Sequence, residues 1–427
     1  MVRHAAALLL GLLGFAVMAE PVPFPNPLSL EQALAYADAD HPDLALAQAQ
    51  LAQARARALE ADARSGVRAY ADLTPEWVEP ASGERGTNDS RARLVVSKTL
   101  YDFGRQSAYR DAAAAGIASG ELALLDVRAR RRLSIMERFF EVLLADQRYA
   151  VANEEMAQRY VAFDRARERH SLGQLSDVDL AAAESHYREA LDARTDAQQR
   201  RVATRSQLAL ALGRRDARPG ELAPPVLAAL AREVPVTETV YAQALAASPR
   251  LQALRQDLET ARRTLAAERA RRRPVLSAEF EAAEYARTLA SRNDLRATLN
   301  LRVPLYQGGD VEAALARATA DVDLATARLR QLEHEVAQAV LDLVQQLESL
   351  KIKRESAHQR VAYRDLYLDR SRALYELEVR TDLGDALTRL TEAQWLVAKI
   401  DYEIALTWAR LDALTGGLVT AAEEQRP

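Results

Sequence analysis

Side chains that could do covalent or metal chemistry are sparse and badly spaced. None of the 427 residues is cysteine, so disulfides, thiolate zinc sites, iron–sulfur clusters and an N-terminal lipidated cysteine are excluded. The histidines at 4, 41, 170, 186, 334 and 358 are scattered. His334-Glu335 opens like a zinc-protease helix, but Gln338 stands where the second histidine is required. There is no G-x-S-x-G, no phosphate loop and no dinucleotide fingerprint. Most carboxylates fall opposite arginines on helical stretches, the pattern of solvated faces. Asp365 and Asp369 are four apart and share one helical face, about one turn from each other. Carboxylates stacked in this way around a narrow passage attract cations and repel anions. Pairing with Arg364, Arg370 or Arg372 on a helix surface is the competing role. No catalytic activity, cofactor or metal site is expected.

The elements that must position such residues are long helices. The chain holds only 16 Gly and 15 Pro, with hydrophobic residues at 49% and aromatics at 6%. A sequence so rich in Ala, Leu, Arg and Glu and so poor in turn formers is mainly α. With 57 Lys+Arg against 61 Asp+Glu the net charge is -4, and no basic excess points to nucleic acid. Arg3 and His4 precede an uncharged apolar run, and Val17-Met18-Ala19 offers a small-residue cleavage site. Residues 1–19 therefore read as a secretory signal peptide. No later stretch is long and apolar enough for a spanning helix.

The rest is a duplication. HPDLALAQAQLAQARAR from His41 parallels SPRLQALRQDLETARR from Ser248, with Pro42, Leu44 and Leu51 matching Pro249, Leu251 and Leu258. LYDFGR at 100–105 parallels LYQGGD at 305–310, and Ser176-Asp177 falls opposite Thr381-Asp382. Matching punctuation at an offset of about 205 residues favours duplication over chance. Residues 20–213 form the first repeat, 214–236 a proline-bearing linker, 237–417 the second repeat and 418–427 a tail. Helices are expected over about 30–64, with an early break at Pro42, and over 104–169 and 177–213. In the second repeat they fall over 237–272, 309–376 and 382–415. The longest would span roughly 100 Å at 1.5 Å per residue, more than a globule needs. Leu329, Leu332, Val336, Val340, Leu343, Leu347 and Leu350 step by three and four, the spacing of a coiled-coil seam.

Between these helices the period changes to two. Leu295, Ala297, Leu299, Leu301 and Val303 alternate with Arg296, Thr298, Asn300 and Arg302, and Leu276, Ala278, Phe280 and Ala282 alternate with polar residues. The first repeat does the same more loosely over 67–74 and 91–97. Each repeat thus carries one hairpin, about 66–101 and about 275–305, of strands roughly ten residues long, enough to cross a bilayer when tilted. Four strands cannot close a barrel, and an open edge cannot sit in lipid. Several chains must then contribute four strands each. A soluble β-domain covered on one face fits the same alternation.

The chain resembles the TolC-like outer-membrane efflux proteins, the outer membrane factors of tripartite efflux or type I secretion systems. The resemblance covers nearly all of the chain after residue 19. It rests on SLEQALAYADADHPDL (29–44), on the strand-to-helix junctions LYDFGR (100–105) and PLYQGG (304–309), and on the tips SLGQLSDVDL (171–180) and LEVRTDLGDAL (377–387). It implies a homotrimer with a twelve-stranded barrel in outer-membrane lipid and an α-helical barrel through the periplasm. That tube would pass substrates from an inner-membrane pump, joined by a periplasmic adaptor. It implies junctions at Gly104, Gly308 and Gly309, and adaptor docking at Leu172, Gly173, Leu175 and Ser176, with Val379 and Thr381 at the second tip. Asp369, with Asp365 a turn before it, falls where the family lines its periplasmic gate. Glu378 departs from the Gly that many members carry at the second tip. A periplasmic coiled-coil scaffold or adaptor without its own pore is the alternative.

Overall fold

The computed structural model describes residues 23–79, 85–215, 217–287, 292–377 and 383–418. Residues 1–19, read as a signal peptide, lie outside the described residues, as do Glu378, Val379 and Thr381 and all of the tail after Leu418.

The chain begins with two short helical pieces. Helix α1, Leu30–Ala35, is opened by a capping box: the Ser29 hydroxyl accepts from the Gln32 amide, and the Gln32 side chain accepts from the Ser29 amide. A 3-10 turn follows, and α2, Pro42–Ala63, starts with proline at its first position, where the missing N–H would have had no partner. Strands β1, Arg68–Thr74, β2, Trp77–Val78, β3, Thr87–Asn88, and β4, Arg91–Tyr101, come next. Helix α3, Arg105–Ser171, is 67 residues long and returns as α4, Asp177–Ala211. The second repeat runs α5, Thr237–Ala247, α6, Pro249–Ala270, β5, Val275–Tyr285, β6, Leu295–Arg302, α7, Asp310–Glu376, and α8, Leu383–Leu414.

One helical expectation is corrected. The stretch 237–272 is two helices, broken at Ser248 with ψ of 118°. The cause is Pro249, whose ring drives the preceding residue out of the helical region, as Pro42 does in the first repeat. Strand β6 also stops at Arg302, short of Pro304, which cannot donate to a ladder.

The helices pack by residue size. On the first third of α3 the buried positions are Ala108, Ala112, Ala115 and Ser119. Such small side chains let α2 and α6 lie close on either side. At Gly120 a Cβ would meet Leu51 Cδ1 at 3.1 Å. Further along, large residues take over. Ile135, Phe139, Phe140, Leu208 and Leu212 form one core with Leu28, and Phe140 stacks on Tyr402 of α8 at 4.7 Å. Buried Arg131 ties α3 to the N-terminal segment by donating to the Ala37 and Tyr36 carbonyl oxygens. In the second repeat Leu332, Val336, Val340, Leu343, Leu347 and Leu350 are buried against Leu251, Ile404 and Trp408, and Leu329 packs beside them. The expected seam is therefore the core-facing stripe of α7.

The strands make one four-stranded antiparallel sheet in the order β1-β4-β5-β6, with a small β2-β3 ribbon beyond it. The hairpins of the two repeats join through β4 and β5, with Val96 opposite Phe280 and Leu94 opposite Ala282. The mainly α chain with paired hairpins matches the expected fold class.

Candidate functional site

The sheet register sorts side chains by chemistry. Residues directly opposite one another in a ladder point to the same face. Ala69, Val96, Phe280 and Ala297 form one such row, and Ala71, Leu94, Ala282 and Leu295 the next. Ala278 with Leu299 and Leu276 with Leu301 extend it towards the helices. Leu295, Leu299 and Leu301 are all more than 60% exposed. The opposite face is polar: Arg68, Ser97, Glu279 and Thr298 form a row, and Ser277 opposes Asn300. Strands β1 and β6 each have one neighbour, so both outer edges of the sheet are unpaired among the described residues.

Aromatic residues gather where the sheet ends. Tyr101 packs edge-on against Phe103 at 4.7 Å, and Tyr306 is 88% exposed at the same end. Exposed Trp77 lies at the opposite end. Aromatic girdles of this kind bracket the apolar band of membrane barrels. They were legible as Tyr and Trp placed at the ends of period-two segments, a signal the alternation itself does not carry.

The strand-to-helix junctions are glycine turns. Gly104 and Gly309 are the N-caps of α3 and α7, with φ of 90° and 86°, and Gly308 has φ of 63°. A side chain in that left-handed region is strained, so glycine is required where the chain reverses into each long helix. Asp102 Oδ2 accepts from the Gln106 amide at 2.8 Å and satisfies one of the free N–H groups of α3.

At the far end of α3 the first tip is a tight reversal. The Leu172, Gly173 and Gln174 amides donate back to Glu168, His170 and Arg169 carbonyl oxygens. Gly173 has φ of 72° and open space around it. Ser176 caps α4 by accepting from the Asp179 amide, and His170 Nε2 lies 2.7 Å from Asp177 Oδ1, fastening the two sides. Leu172 is 65% exposed, whereas Leu175 is half-buried. Val178, not singled out in the sequence, is 77% exposed close by. Asp365 and Asp369 are both exposed on α7 near the second tip, with Asp369 3.6 Å from Arg372. The exposed side chains of Tyr363 and Leu366 accompany them.

Residues 240–417 match the outer membrane efflux protein family. The fold as a whole is similar to solved outer-membrane channels. CusC superposes with a TM-score of 0.76 at 18% identity, covering 94% of this chain and 96% of CusC. The Campylobacter jejuni CmeC outer membrane channel gives 0.74 at 14% identity, over 92% of this chain and 88% of CmeC. The open state of the Neisseria gonorrhoeae MtrE outer membrane channel gives 0.72 at 17% identity, over 91% and 89%. None of the curated proteins compared with the chain matches it. The second repeat thus matches the outer membrane efflux protein family, and the chain as a whole has the fold of these outer-membrane channels.

Proposed function

We propose that the chain is the exit duct of a tripartite efflux or type I secretion system. Three copies close a twelve-stranded barrel, and their long helices continue it through the periplasm. The duct passively conducts what an inner-membrane pump delivers, with a periplasmic adaptor bound at the tips. The observation that carries this is the four-stranded sheet with one exposed apolar face, one polar face and two unpaired edges. Such a sheet cannot sit in lipid alone, because each unpaired backbone group there costs several kcal/mol. Closure by further copies removes both edges, turns the apolar face to lipid and the polar face to the bore. In this reading Leu172, Gly173, Leu175 and Ser176 meet the adaptor, with Val379 and Thr381 at the second tip. Asp365 and Asp369 form stacked carboxylate rings at the periplasmic gate. The family's channels give no support to an enzymatic role. Membrane fractionation with mass measurement in mild detergent tests the assembly. The expected result is an outer-membrane species of three copies, and a soluble periplasmic monomer would overturn it.

A further inference from the structure

Charge on the polar face of the sheet is unevenly balanced. Midway along the strands Arg93 pairs with Asp72 and approaches Glu281 at 3.9 Å, and Arg296 stands opposite Glu281. Towards the loops Arg292 meets Asp89 at 2.7 Å. At the junction with the helices this balance ends. A cleft of about 670 Å³ opens there, lined by Arg64, Arg68, Arg105, Arg271, Arg273 and Arg302 against only Asp102 and Glu279. Arg105 lies 3.9 Å from Asp102, and Arg271 is held by Glu268 and Asp310. The other four guanidinium groups have no carboxylate partner among the described residues. Arg273 donates to the Phe103 carbonyl oxygen at 2.7 Å, and Arg64 lies over the Tyr109 ring at 4.8 Å. Arg68 opens β1 and Arg302 closes β6, so the excess reaches both edges of the sheet.

Guanidinium groups clustered in a low-dielectric wall raise the local concentration of anions, and their planar forks match oxyanions bidentately. The cleft shares its face with Ser277 and Asn300, opposite Leu299 and Leu301. Its ligand therefore comes from the bore and not from lipid headgroups. We infer that the strand-to-helix junction carries an arginine belt that binds multivalent oxyanions inside the duct and favours their passage. The inference rests on the duct reading above, since closure is what repeats the cleft around the bore.

The probe is inorganic tripolyphosphate. Its binding to the detergent-solubilised protein is followed by calorimetry, and single-channel current is recorded with it on the strand-loop side. Wild type is expected to bind it and to show current block. Both should weaken about tenfold or more in Arg68→Gln/Arg302→Gln, the effect of one lost charge-assisted hydrogen bond, and weaken less in Arg68→Lys/Arg302→Lys, which keeps the charge and loses the fork. If the double glutamine variant fails to assemble, Arg302→Gln alone carries the comparison. Absence of binding and block in wild type, or equal affinity in the glutamine variant, overturns the belt. Binding by a protein that never conducts would sustain the belt and count against the duct. Conduction indifferent to tripolyphosphate would do the reverse.

Discussion

His41 caps α2 with a ring nitrogen that must stay unprotonated: its Nδ1 accepts from the Asp43 amide at 3.2 Å. Burial, and then the charge of Arg131, hold its pKa below the ordinary 6.5 against the opposing pull of Asp43 and Asp40. A base with a depressed folded pKa contributes fully above the unfolded value and loses that contribution as pH falls through the folded one. Thermal stability should therefore decline as pH falls below about 6.5, and less so in His41→Asn, because asparagine caps without titrating. Parallel pH profiles for the two proteins would remove His41 as the cause. In the sheet, Leu299 lies on the exposed apolar face and Asn300 on the polar one. Arginine at a lipid-facing midplane position costs about 2–4 kcal/mol, falling towards the interfaces. Leu299→Arg should lower the amount of assembled protein in the membrane, whereas Asn300→Arg should be tolerated. Equal losses would mean that the faces are assigned wrongly.

Among the elements, the first tip lies within the described residues. The α3–α4 tip is fastened by backbone reversal, by the Ser176 cap and by His170 against Asp177. Exposed Leu172 on so fixed a turn is suited to a partner surface, since little conformational freedom is lost on docking. Leu172→Arg is expected to abolish efflux, measured as cellular retention of the substrate of the pump it serves, with assembled protein unchanged on blots. Unimpaired efflux would end the docking proposal. At the end of α7, Asp365 and Asp369 are exposed one turn apart, and among the described residues the cation beside Asp369 is the solvent-exposed Arg372 at 3.6 Å. An exposed pair of this kind is worth under about 1 kcal/mol, which leaves the carboxylate available to a passing cation. Planar-bilayer recordings should show reduced cation preference in Asp365→Ala/Asp369→Ala. Unchanged selectivity would place the gate elsewhere and reduce both residues to surface charge.

For the whole molecule, a single chain leaves an apolar sheet face and, among the described residues, two strand edges open. Unprotected edges of this sort template pairing with other chains. Protein refolded without detergent should therefore aggregate, while added detergent or lipid should yield a discrete oligomer by light scattering. A monodisperse monomer in plain buffer would contradict the closure argument. The long helices also fix where chemistry can occur. Junction and tip lie at opposite ends of 67-residue helices, roughly 100 Å apart, so the proposed arginine belt and the proposed aspartate gate would meet a solute at separate stages.

Much of this was written in local pattern. The period-two alternation over 295–302, the step of three and four along α7, and the Gly–Asp punctuation of each repeat depend on neighbours a few residues away. Backbone geometry alone imposes those spacings. Gly104 and Gly309 were legible for the same reason, since a strand cannot turn into a helix there without left-handed backbone. What the tertiary structure decided depends on contacts between distant residues. The joining of β4 to β5 sets Val96 against Phe280 across the two repeats, and no local period specifies which hairpin edges meet. The break at Ser248 needed only Pro249, but helix propensity on either side masked it. The arginine cleft was not legible in sequence because its members come from the end of α2, the start of β1, the start of α3, the α6–β5 turn and the end of β6, stretches far apart along the chain. Only packing brings those guanidinium groups together, because charge balance in a folded chain is settled by distance in space and not along the sequence.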